Sequence, residues 1–342
     1  MSPPRFLVIG QGIAGTVLSF VLRRQGADVT LADAGFRDAA SAAAAGIINP
    51  ITGKNYVKSW RADDLLPSAN RIYGEMERSL GIPLRVEQPV FRLLSTPQER
   101  NNWDARAGLP DYAPYLGNAV PESRWTGLLH PHFTFGAVTG GGRINFGALL
   151  PAYRTYARDH GFLLEATIDP DRLPAGFDAW IFCEGYRGAS NPLFAHLPWQ
   201  PNKGEALLVR FPDLRPPWPE SMLKKTVLVT HLADGLYWAG APYFNRFDDP
   251  YPTPEGHRFV AEGLAEMFAV PFTVEDHVAG IRPAVAGRRP LIGRLPGRSG
   301  VVLFNGWGAK GASLVPFWAE HLAAHLIDGA ALDAEVDLNR FR

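Results

Sequence analysis

The sequence predicts an α/β protein of two lobes: a doubly wound lobe on a parallel sheet, and an α+β lobe that carries an antiparallel sheet. The first lobe is indicated by an apolar run at residues 6–9, which stops at Gly10 and is followed by helical periodicity over residues 13–24. The second is indicated by residues 205–240, where strand-like alternation is separated by proline-rich turns. A chain of 342 residues with 46% hydrophobic content also suits two lobes better than one.

The parallel lobe is expected to be assembled from three separated pieces of chain. Gly26 ends the first helix, and a second strand follows at residues 28–32. The same kinds of element return downstream, with helices at 146–160 and 313–328 and strands at 162–166, 177–183 and 301–304. We therefore assign residues 1–62, 141–203 and 280–342 to this lobe.

The two intervening pieces, residues 63–140 and 204–279, are assigned to the second lobe. The earlier piece is rich in proline and arginine and is predicted to contain a helix at 65–80 and a strand at 90–94. The later piece is predicted to supply the antiparallel strands, at 205–211, 227–231 and 236–240.

Composition and charge exclude several classes of protein. Lys+Arg and Asp+Glu both number 34, so no surplus of positive charge is available for nucleic-acid phosphates, and we expect a small-molecule substrate and no nucleic-acid partner. The only cysteine, Cys183, excludes a disulfide within the chain, and the scattered histidines predict no metal site. The first strand begins almost at once and no apolar run reaches about 18 residues, which favours a cytoplasmic protein without a transmembrane segment.

The turn Gly10-Gln-Gly-Ile-Ala-Gly15 has the spacing of a dinucleotide-binding motif. Gly10 permits the tight turn, Gly12 lets the backbone approach a pyrophosphate, and Gly15 lets the helix pack closely on the strand. Asp33 follows the second strand, where a carboxylate accepts hydrogen bonds from ribose hydroxyls and disfavours the 2′-phosphate of NADP. A plain tight turn is the alternative, but strand, helix and acid together favour a Rossmann-like lobe. The motif leaves FAD and NAD both open.

Three strings near the end of the chain follow one another in order: Gly280-Ile-Arg-Pro283, Arg289-Pro-Leu-Ile-Gly293 and Gly306-Trp-Gly-Ala-Lys-Gly-Ala-Ser-Leu-Val-Pro316. Upstream lie a small-residue loop at 41–50, a Gly-Gly-Arg-Ile-Asn segment at 141–145, and a strand with a glycine turn at 177–185. Together with the N-terminal turn, these segments resemble the D-amino-acid oxidase and glycine oxidase family of flavoproteins. The resemblance covers most of the chain.

The resemblance implies a glycine oxidase-like two-domain flavoprotein, in which the antiparallel sheet covers the isoalloxazine ring of FAD. We expect noncovalent FAD, because no cysteine lies between residues 282 and 311 and no histidine between residues 36 and 62. The expected cofactor-binding residues are Gly10, Gly12, Ile13, Ala14, Gly15, Asp33, Ala34, Ser41, Ala45, Gly46, Ile47, Gly185, Arg282, Gly306, Gly308, Ala309, Lys310 and Gly311.

Arg282, Lys310 and Tyr243 are the expected catalytic residues. Arg282 matches the family's arginine that binds the substrate carboxylate through paired hydrogen bonds; pairing with an acid at the lobe interface is the alternative. Lys310 is expected either to stabilise negative charge on the reduced flavin, together with the amides of the next helix, or to point to solvent. Tyr243 follows Tyr237 and Trp238 in a segment where the family lines its pocket, although aromatic residues on a strand are more often core.

The segment after the small-residue loop is a second source of pocket residues. Tyr56, Lys58, Trp60 and Arg61 are expected to close the pocket, with Arg61 as the alternative carboxylate-binding residue. Neither a nucleophilic serine turn nor a Ser/His/Asp arrangement is visible, so hydrolysis is not supported.

The leading functional hypothesis is an enzyme that oxidises the C–N bond of a small amine or amino acid, such as glycine, sarcosine or a D-amino acid. The expected reaction is hydride transfer to flavin N5, with oxygen as the acceptor. One alternative is a dehydrogenase that passes electrons to a quinone or carrier protein. Others are a relative of the oxidase that removes a carboxymethyl group from a wobble uridine of transfer RNA, and a protein in which FAD is structural. Stereochemistry and oligomeric state stay open.

Overall fold

The computed structural model describes residues 2–35, 38–118, 125–212 and 221–341. The helices are α1 (Ile13–Arg24), α2 (Ala40–Ala43), α3 (Ala62–Leu80), α4 (Pro97–Ala107), α5 (Phe146–Asp159), α6 (Pro254–Met267) and α7 (Gly311–Asp328). The strands are β1 (Arg5–Ile9), β2 (Asp28–Ala32), β3 (Ile47–Ile48), β4 (Ile51–Thr52), β5 (Val57–Lys58), β6 (Arg85–Glu87), β7 (Val90–Leu94), β8 (Leu116–Asn118), β9 (Thr134–Val138), β10 (Gly142–Ile144), β11 (Leu163–Leu164), β12 (Ala179–Phe182), β13 (Asn202–Arg210), β14 (Met222–Lys224), β15 (Leu228–Ala233), β16 (Leu236–Gly240), β17 (Thr273–Arg282), β18 (Leu291–Leu295) and β19 (Arg298–Asn305). In these described ranges, none of the helices combines the length and apolar character that crossing a membrane requires.

A six-stranded sheet forms the centre of the first lobe, in the order β11-β2-β1-β12-β19-β18. The first five strands pair in parallel, and β18 joins β19 in antiparallel direction at the edge. Phe6, Leu7 and Val8 are all buried, because both faces of this sheet are covered. The sheet draws its strands from three separated segments of the chain, and it confirms the predicted Rossmann-like α/β architecture.

An eight-stranded sheet forms the centre of the second lobe, in the order β17-β13-β16-β15-β14-β7-β9-β8. Its strands pair in antiparallel direction except for β14 with β7. Alternate residues such as Leu207 and Val229 belong to a buried cluster that includes Val260 and Leu264 of α6. The opposite face of the sheet is turned toward the first lobe.

Two strands run through the predicted boundaries of the lobes. β13 begins at Asn202 and β17 ends at Arg282, so the predicted junctions at 203/204 and 279/280 fall inside continuous, hydrogen-bonded strands. α3, which the sequence assigns to the second lobe, contacts the first: the Tyr73 hydroxyl donates to the Ala312 carbonyl of α7 at 2.9 Å. The division of the chain into lobes stays a prediction. The paired strands β13 and β17 connect the lobes directly.

Candidate functional site

A cleft of 2490 Å³ lies between the carboxyl ends of the first-lobe strands and one face of the eight-stranded sheet. Open α/β sheets bind ligands outside the carboxyl ends of their strands. The volume exceeds the roughly 300–1,000 Å³ of an ordinary small-molecule pocket. The cleft therefore has room for a dinucleotide and a substrate together.

The glycine turn after β1 forms one end of the cleft. The Gly10 amide donates to the Ala32 carbonyl at 2.8 Å, and a Cβ at Gly10 would lie 2.7 Å from the Cys183 carbonyl oxygen. A Cβ at Gly15 would lie 1.8 Å from the Gly10 carbonyl oxygen, so only glycine lets α1 begin this close to β1. Gly15 lies outside the cleft lining, and its contribution is this packing rather than a ligand contact.

The small-residue loop is tied to the beginning of α1. The Ser41 hydroxyl accepts a hydrogen bond from the Ile13 amide at 3.1 Å. Gly46 has φ of +70°, and a Cβ there would lie 1.9 Å from the Ile144 carbonyl oxygen. The Ile144 amide in turn donates to the Gly46 carbonyl at 2.9 Å. These contacts hold the loop along one wall of the cleft.

The Asp33 carboxylate is fixed by three donors. It accepts from the Gln11 amide at 2.8 Å, from the Gly35 amide at 2.7 Å and from the Arg154 guanidinium at 2.8 Å. Because a carboxylate offers about four acceptor positions, one position is left for a ribose hydroxyl. Sequence reasoning missed Gln11 and Arg154 as supports of this site; Arg154 lies 121 residues away, on α5.

We expect Asp33→Ala to weaken dinucleotide binding about tenfold, because the Gln11 amide and the Arg154 guanidinium lose their acceptor along with the ribose hydroxyl. The measurement is the dissociation constant of added FAD. Asp28→Ala is the matched control: Asp28 begins β2, the strand that Asp33 follows, and forms an exposed pair with Arg5 at 3.2 Å. An Asp33→Ala protein that binds FAD as tightly as the unmodified protein would remove Asp33 from the site.

Arg282 ends β17 on the sheet face that covers the cleft. Its guanidinium donates to the Asn202 side-chain oxygen at 2.8 Å and to the Pro242 carbonyl at 3.0 Å. The Tyr243 ring lies over it, with 4.2 Å between guanidinium carbon and ring centroid. Burial lowers the pKa of Arg282, and no carboxylate of the described residues pairs with it. The structure therefore does not show the alternative, in which Arg282 pairs with an acidic residue at the lobe interface.

Gly204 makes room for this guanidinium. A Cβ at Gly204 would lie 2.1 Å from an Nη atom of Arg282, in the neighbouring strand. The glycine thus lets the Arg282 side chain lie flat across β13. Neither Asn202 nor Gly204 was predicted as part of the site, since a role in placing another side chain leaves no mark in the sequence.

Lys310 lies at the N-terminal cap of α7 and points across the cleft. Its Nζ donates to the Ser59 hydroxyl at 3.0 Å, so the alternative of a solvent-directed side chain is wrong. Burial lowers the pKa of Lys310, and the positive charges of Arg288 and Arg289 lower it further. Its ammonium and the first amides of α7 bring positive charge to the same end of the cleft.

The three aromatic residues of the second lobe are placed differently. Tyr243 is 64% exposed and covers Arg282, whereas Tyr237 is 4% exposed and belongs to the core on the far side of the sheet. Trp238 lines the cleft, and its indole N–H donates to the Ala43 carbonyl at 3.0 Å. Trp238 thereby ties the second sheet to the small-residue loop.

The segment at residues 56–61 is only partly in the cleft. Lys58 and Trp60 line it, whereas Tyr56 is buried behind it. Arg61 lies outside the lining, and its guanidinium pairs with Asp333 at 2.6 Å. The alternative of Arg61 as the carboxylate-binding residue is therefore not supported.

The cleft brings together all the residues predicted to be catalytic or to bind the cofactor, except Gly15. The predicted residues that line it are Gly10, Gly12, Ile13, Ala14, Asp33, Ala34, Ser41, Ala45, Gly46, Ile47, Gly185, Tyr243, Arg282, Gly306, Gly308, Ala309, Lys310 and Gly311. Within the part of the chain that the structure describes, no group of three or more His, Cys, Asp or Glu side chains is placed to hold a metal ion.

Comparison with known proteins points to one family. A family model described as FAD dependent oxidoreductase (DAO) matches residues 5–325. The tRNA 5-methylaminomethyl-2-thiouridine biosynthesis bifunctional protein MnmC of Azoarcus sp. (strain BH72) is 26% identical over 98% of this chain, which spans 58% of that protein's length. Iminodiacetate oxidase (IdaA) from Chelativorans sp. BNC1 has a similar structure, with a TM-score of 0.75 at 23% identity over 98% of both chains. Glycine oxidase from Geobacillus kaustophilus matches with a TM-score of 0.79 at 20% identity, covering 98% of this chain and 99% of that one.

Proposed function

Since the chain belongs to the DAO family of FAD-dependent oxidoreductases, we propose that it oxidises the C–N bond of a small amine or amino acid that carries a carboxylate. The observation that carries the proposal is Arg282, a partly buried guanidinium without a carboxylate partner among the described residues, on the sheet face that covers the cleft. A guanidinium binds a carboxylate through two parallel hydrogen bonds, which fixes the substrate's orientation as well as its position.

The residues of the first lobe fit FAD. The amides at the start of α1, beside Gly10 and Gly12, suit a pyrophosphate, and Asp33 keeps an acceptor position for a ribose hydroxyl. Gly308 has φ of +53°, and a Cβ there would meet nothing closer than 3.9 Å, which leaves space beside the turn for the ring. FAD supplies the two-electron acceptor, for which we propose hydride transfer to N5 and oxygen as the final oxidant. Noncovalent attachment is part of this proposal.

Each polar residue of the cleft has a defined task in this proposal. Arg282 holds the substrate carboxylate, and Asn202 keeps the guanidinium in the plane of the sheet. The Tyr243 ring covers the guanidinium and limits its access to water. Lys310 and the first amides of α7 supply positive charge at the end of the cleft where α7 begins, and there they stabilise the negative charge that develops during the reaction. The substrate amine loses a hydride from its α-carbon, which FAD would accept, and a proton from its nitrogen, and so becomes an imine.

An anaerobic titration tests this proposal. FAD-loaded protein is mixed with glycine, sarcosine, the two proline isomers and D-amino acids, and the loss of visible flavin absorbance is followed. We expect at least one of them to bleach the flavin, and its decarboxylated analogue to fail. If dithionite bleaches the flavin but no amine does, the proposal is wrong. Reoxidation by oxygen compared with a dye or quinone then identifies the acceptor.

The likeness to the Azoarcus protein favours a second candidate, oxidation of an amine on a modified wobble uridine. The chain's formal charge of zero disfavours transfer RNA as a partner. That the protein has no nucleic-acid partner stays a prediction, and so does its cytoplasmic location. Bleaching by hypomodified transfer RNA, without bleaching by free amino acids, would favour this candidate.

We expect Gly204→Ala to lower kcat/KM for a carboxylated amine by about 10²-fold, because the new methyl group displaces the Arg282 guanidinium. FAD content is expected to be unchanged. Gly117→Ala is the matched control, since Gly117 is in the same sheet and a Cβ there would meet nothing within 4 Å. Equal kinetics for the two variants would show that the guanidinium position is unimportant.

A further inference from the structure

A second pair of cationic side chains lines the cleft, on the strands farther along the covering sheet. Arg92 of β7 and Lys224 of β14 are direct partners in the parallel pair of the eight-stranded sheet. Directly paired residues of neighbouring strands project from the same face, and both side chains line the cleft. The sheet thus carries positive charge at two separate places, at Arg282 and at this pair.

Neither cation of the pair is neutralised by the protein. The Lys224 Nζ donates to the Thr226 carbonyl at 2.7 Å. Arg92 makes a long contact of 3.4 Å with the Gly53 carbonyl, and its guanidinium carbon lies 5.1 Å from the centroid of the Tyr56 ring. None of these partners is a carboxylate. Burial lowers the pKa of Lys224 to about 7, and the Arg92 guanidinium acts in the same direction. The pair is therefore a partly buried concentration of positive charge that a bound anion would stabilise.

The nearest acidic side chains are engaged elsewhere. Glu99 accepts two hydrogen bonds from the Lys225 Nζ, both at 2.8 Å. Glu266 accepts from the Thr226 hydroxyl at 2.6 Å. Among the described residues no carboxylate lies within ion-pair distance of Arg92 or Lys224, so an anion that enters the cleft meets no competitor there.

An apolar row of residues joins the two cationic places. Moving across the sheet from Lys224, the directly paired residues are Leu228, Gly240 and Ala206, and all of them line the cleft. Three strand spacings separate β14 from β13, which corresponds to about 14 Å. The Arg282 guanidinium lies over Gly204, two residues before Ala206. The surface between the charges offers contact to a hydrocarbon spacer.

We propose that the substrate carries a second anionic group, a carboxylate or a phosphate, which binds Arg92 and Lys224 while its amino-acid carboxylate binds Arg282. An apolar spacer along the Leu228–Gly240–Ala206 row separates the two. This inference rests on the proposed function, because it takes Arg282 as the site of the first carboxylate. It excludes glycine itself as the preferred substrate and predicts a longer amine with charge at both ends.

Binding of ligands that cannot be oxidised tests the pair without turnover. FAD-loaded protein is titrated with three series of equal chain length: straight-chain monocarboxylates, α,ω-dicarboxylates from glutarate to dodecanedioate, and the corresponding ω-phosphonocarboxylates. The change in flavin absorbance reports the dissociation constant. At one chain length or more, we expect the second anion to tighten binding about tenfold over the methyl-terminated acid. The tighter of the two anionic series identifies the group as carboxylate or phosphate.

Variants test whether the tighter binding of ligands with a second anion depends on Arg92 and Lys224. Arg92→Gln and Lys224→Gln are each expected to abolish it while leaving the affinity for monocarboxylates unchanged. Lys54→Gln is the control, because Lys54 is an exposed cation that also lines the cleft. Equal affinity of all three series at every chain length would overturn the proposal. The proposal would also be overturned if Lys54→Gln lost the tighter binding of the second anion as fully as Arg92→Gln and Lys224→Gln. If instead the affinity for monocarboxylates is the same in Arg282→Met as in the unmodified protein, the proposed function fails. The difference in affinity between the monocarboxylates and the two anionic series still tests Arg92 and Lys224 in that case.

Discussion

Arg282→Met is expected to lower kcat/KM for a carboxylated amine by about 10³-fold, equivalent to about 4 kcal/mol, while FAD stays bound. The substitution leaves a substrate carboxylate buried without its partner, and the substrate loses the contact that orients its C–H bond. Methionine keeps much of the volume of the arginine stem, so the contact with the Tyr243 ring is replaced by an apolar one. The measurement is steady-state kinetics together with the flavin absorbance of the purified variant.

Two further variants separate charge from geometry at this position. Arg282→Lys keeps the positive charge but not the planar fork, and we expect a loss smaller than that of Arg282→Met. Arg294→Met is the control, because Arg294 lies on β18 outside the cleft lining. Unchanged kcat/KM in Arg282→Met would reject the residue as the carboxylate-binding group.

Lys310→Met is expected to slow flavin reduction by about 10²-fold and to lower the flavin reduction potential. The ammonium lies at the N-terminal cap of α7 and is held by the Ser59 hydroxyl. Its removal takes away a positive charge from the place where we propose that negative charge develops. Rapid-mixing kinetics and potentiometric titration against reference dyes measure the two effects.

The pH dependence of flavin reduction provides a second check on Lys310. Burial, followed by the charges of Arg288 and Arg289, lowers the pKa of Lys310, so its ammonium is lost as pH rises through that lowered value. The rate for the unmodified protein is expected to fall as the pH rises through that value, whereas the Lys310→Met rate does not follow it. Lys310→Arg keeps the charge and is expected to retain most of the potential. A potential that is the same in all three proteins would contradict the assignment.

The first lobe could be predicted closely from the sequence because its local signals agree with its tertiary structure. The predicted bounds of α1 match the observed Ile13–Arg24, since a glycine turn precedes the helix and Gly26 follows it. Gly10 and Gly15 of the motif each have a steric reason that the structure makes visible, such as the Gly10 carbonyl that faces Gly15. β16 was likewise predicted at its observed bounds, because its residues alternate between core and cleft.

What the sequence did not predict depends on contacts between distant segments. β17 begins with the polar run Thr-Val-Glu-Asp-His, which lacks strand-like alternation, and pairing with β13 determines its structure. Arg154 and Asn202 became visible as site residues only when folding brought them to Asp33 and Arg282. Arg92 and Lys224 gave no local signal either. They lie side by side only because β7 and β14 pair in parallel, within a sheet whose other strands pair in antiparallel direction.

A crystal structure of the FAD complex with a bound monocarboxylate tests the central claim most directly. We predict the pyrophosphate at the amides that begin α1, the isoalloxazine ring between the turn at residues 306–311 and the covering sheet, and the carboxylate on Arg282. Pyrophosphate density away from the Gly10–Gly15 turn, or a carboxylate bound elsewhere while the Arg282 guanidinium stays free, would contradict it.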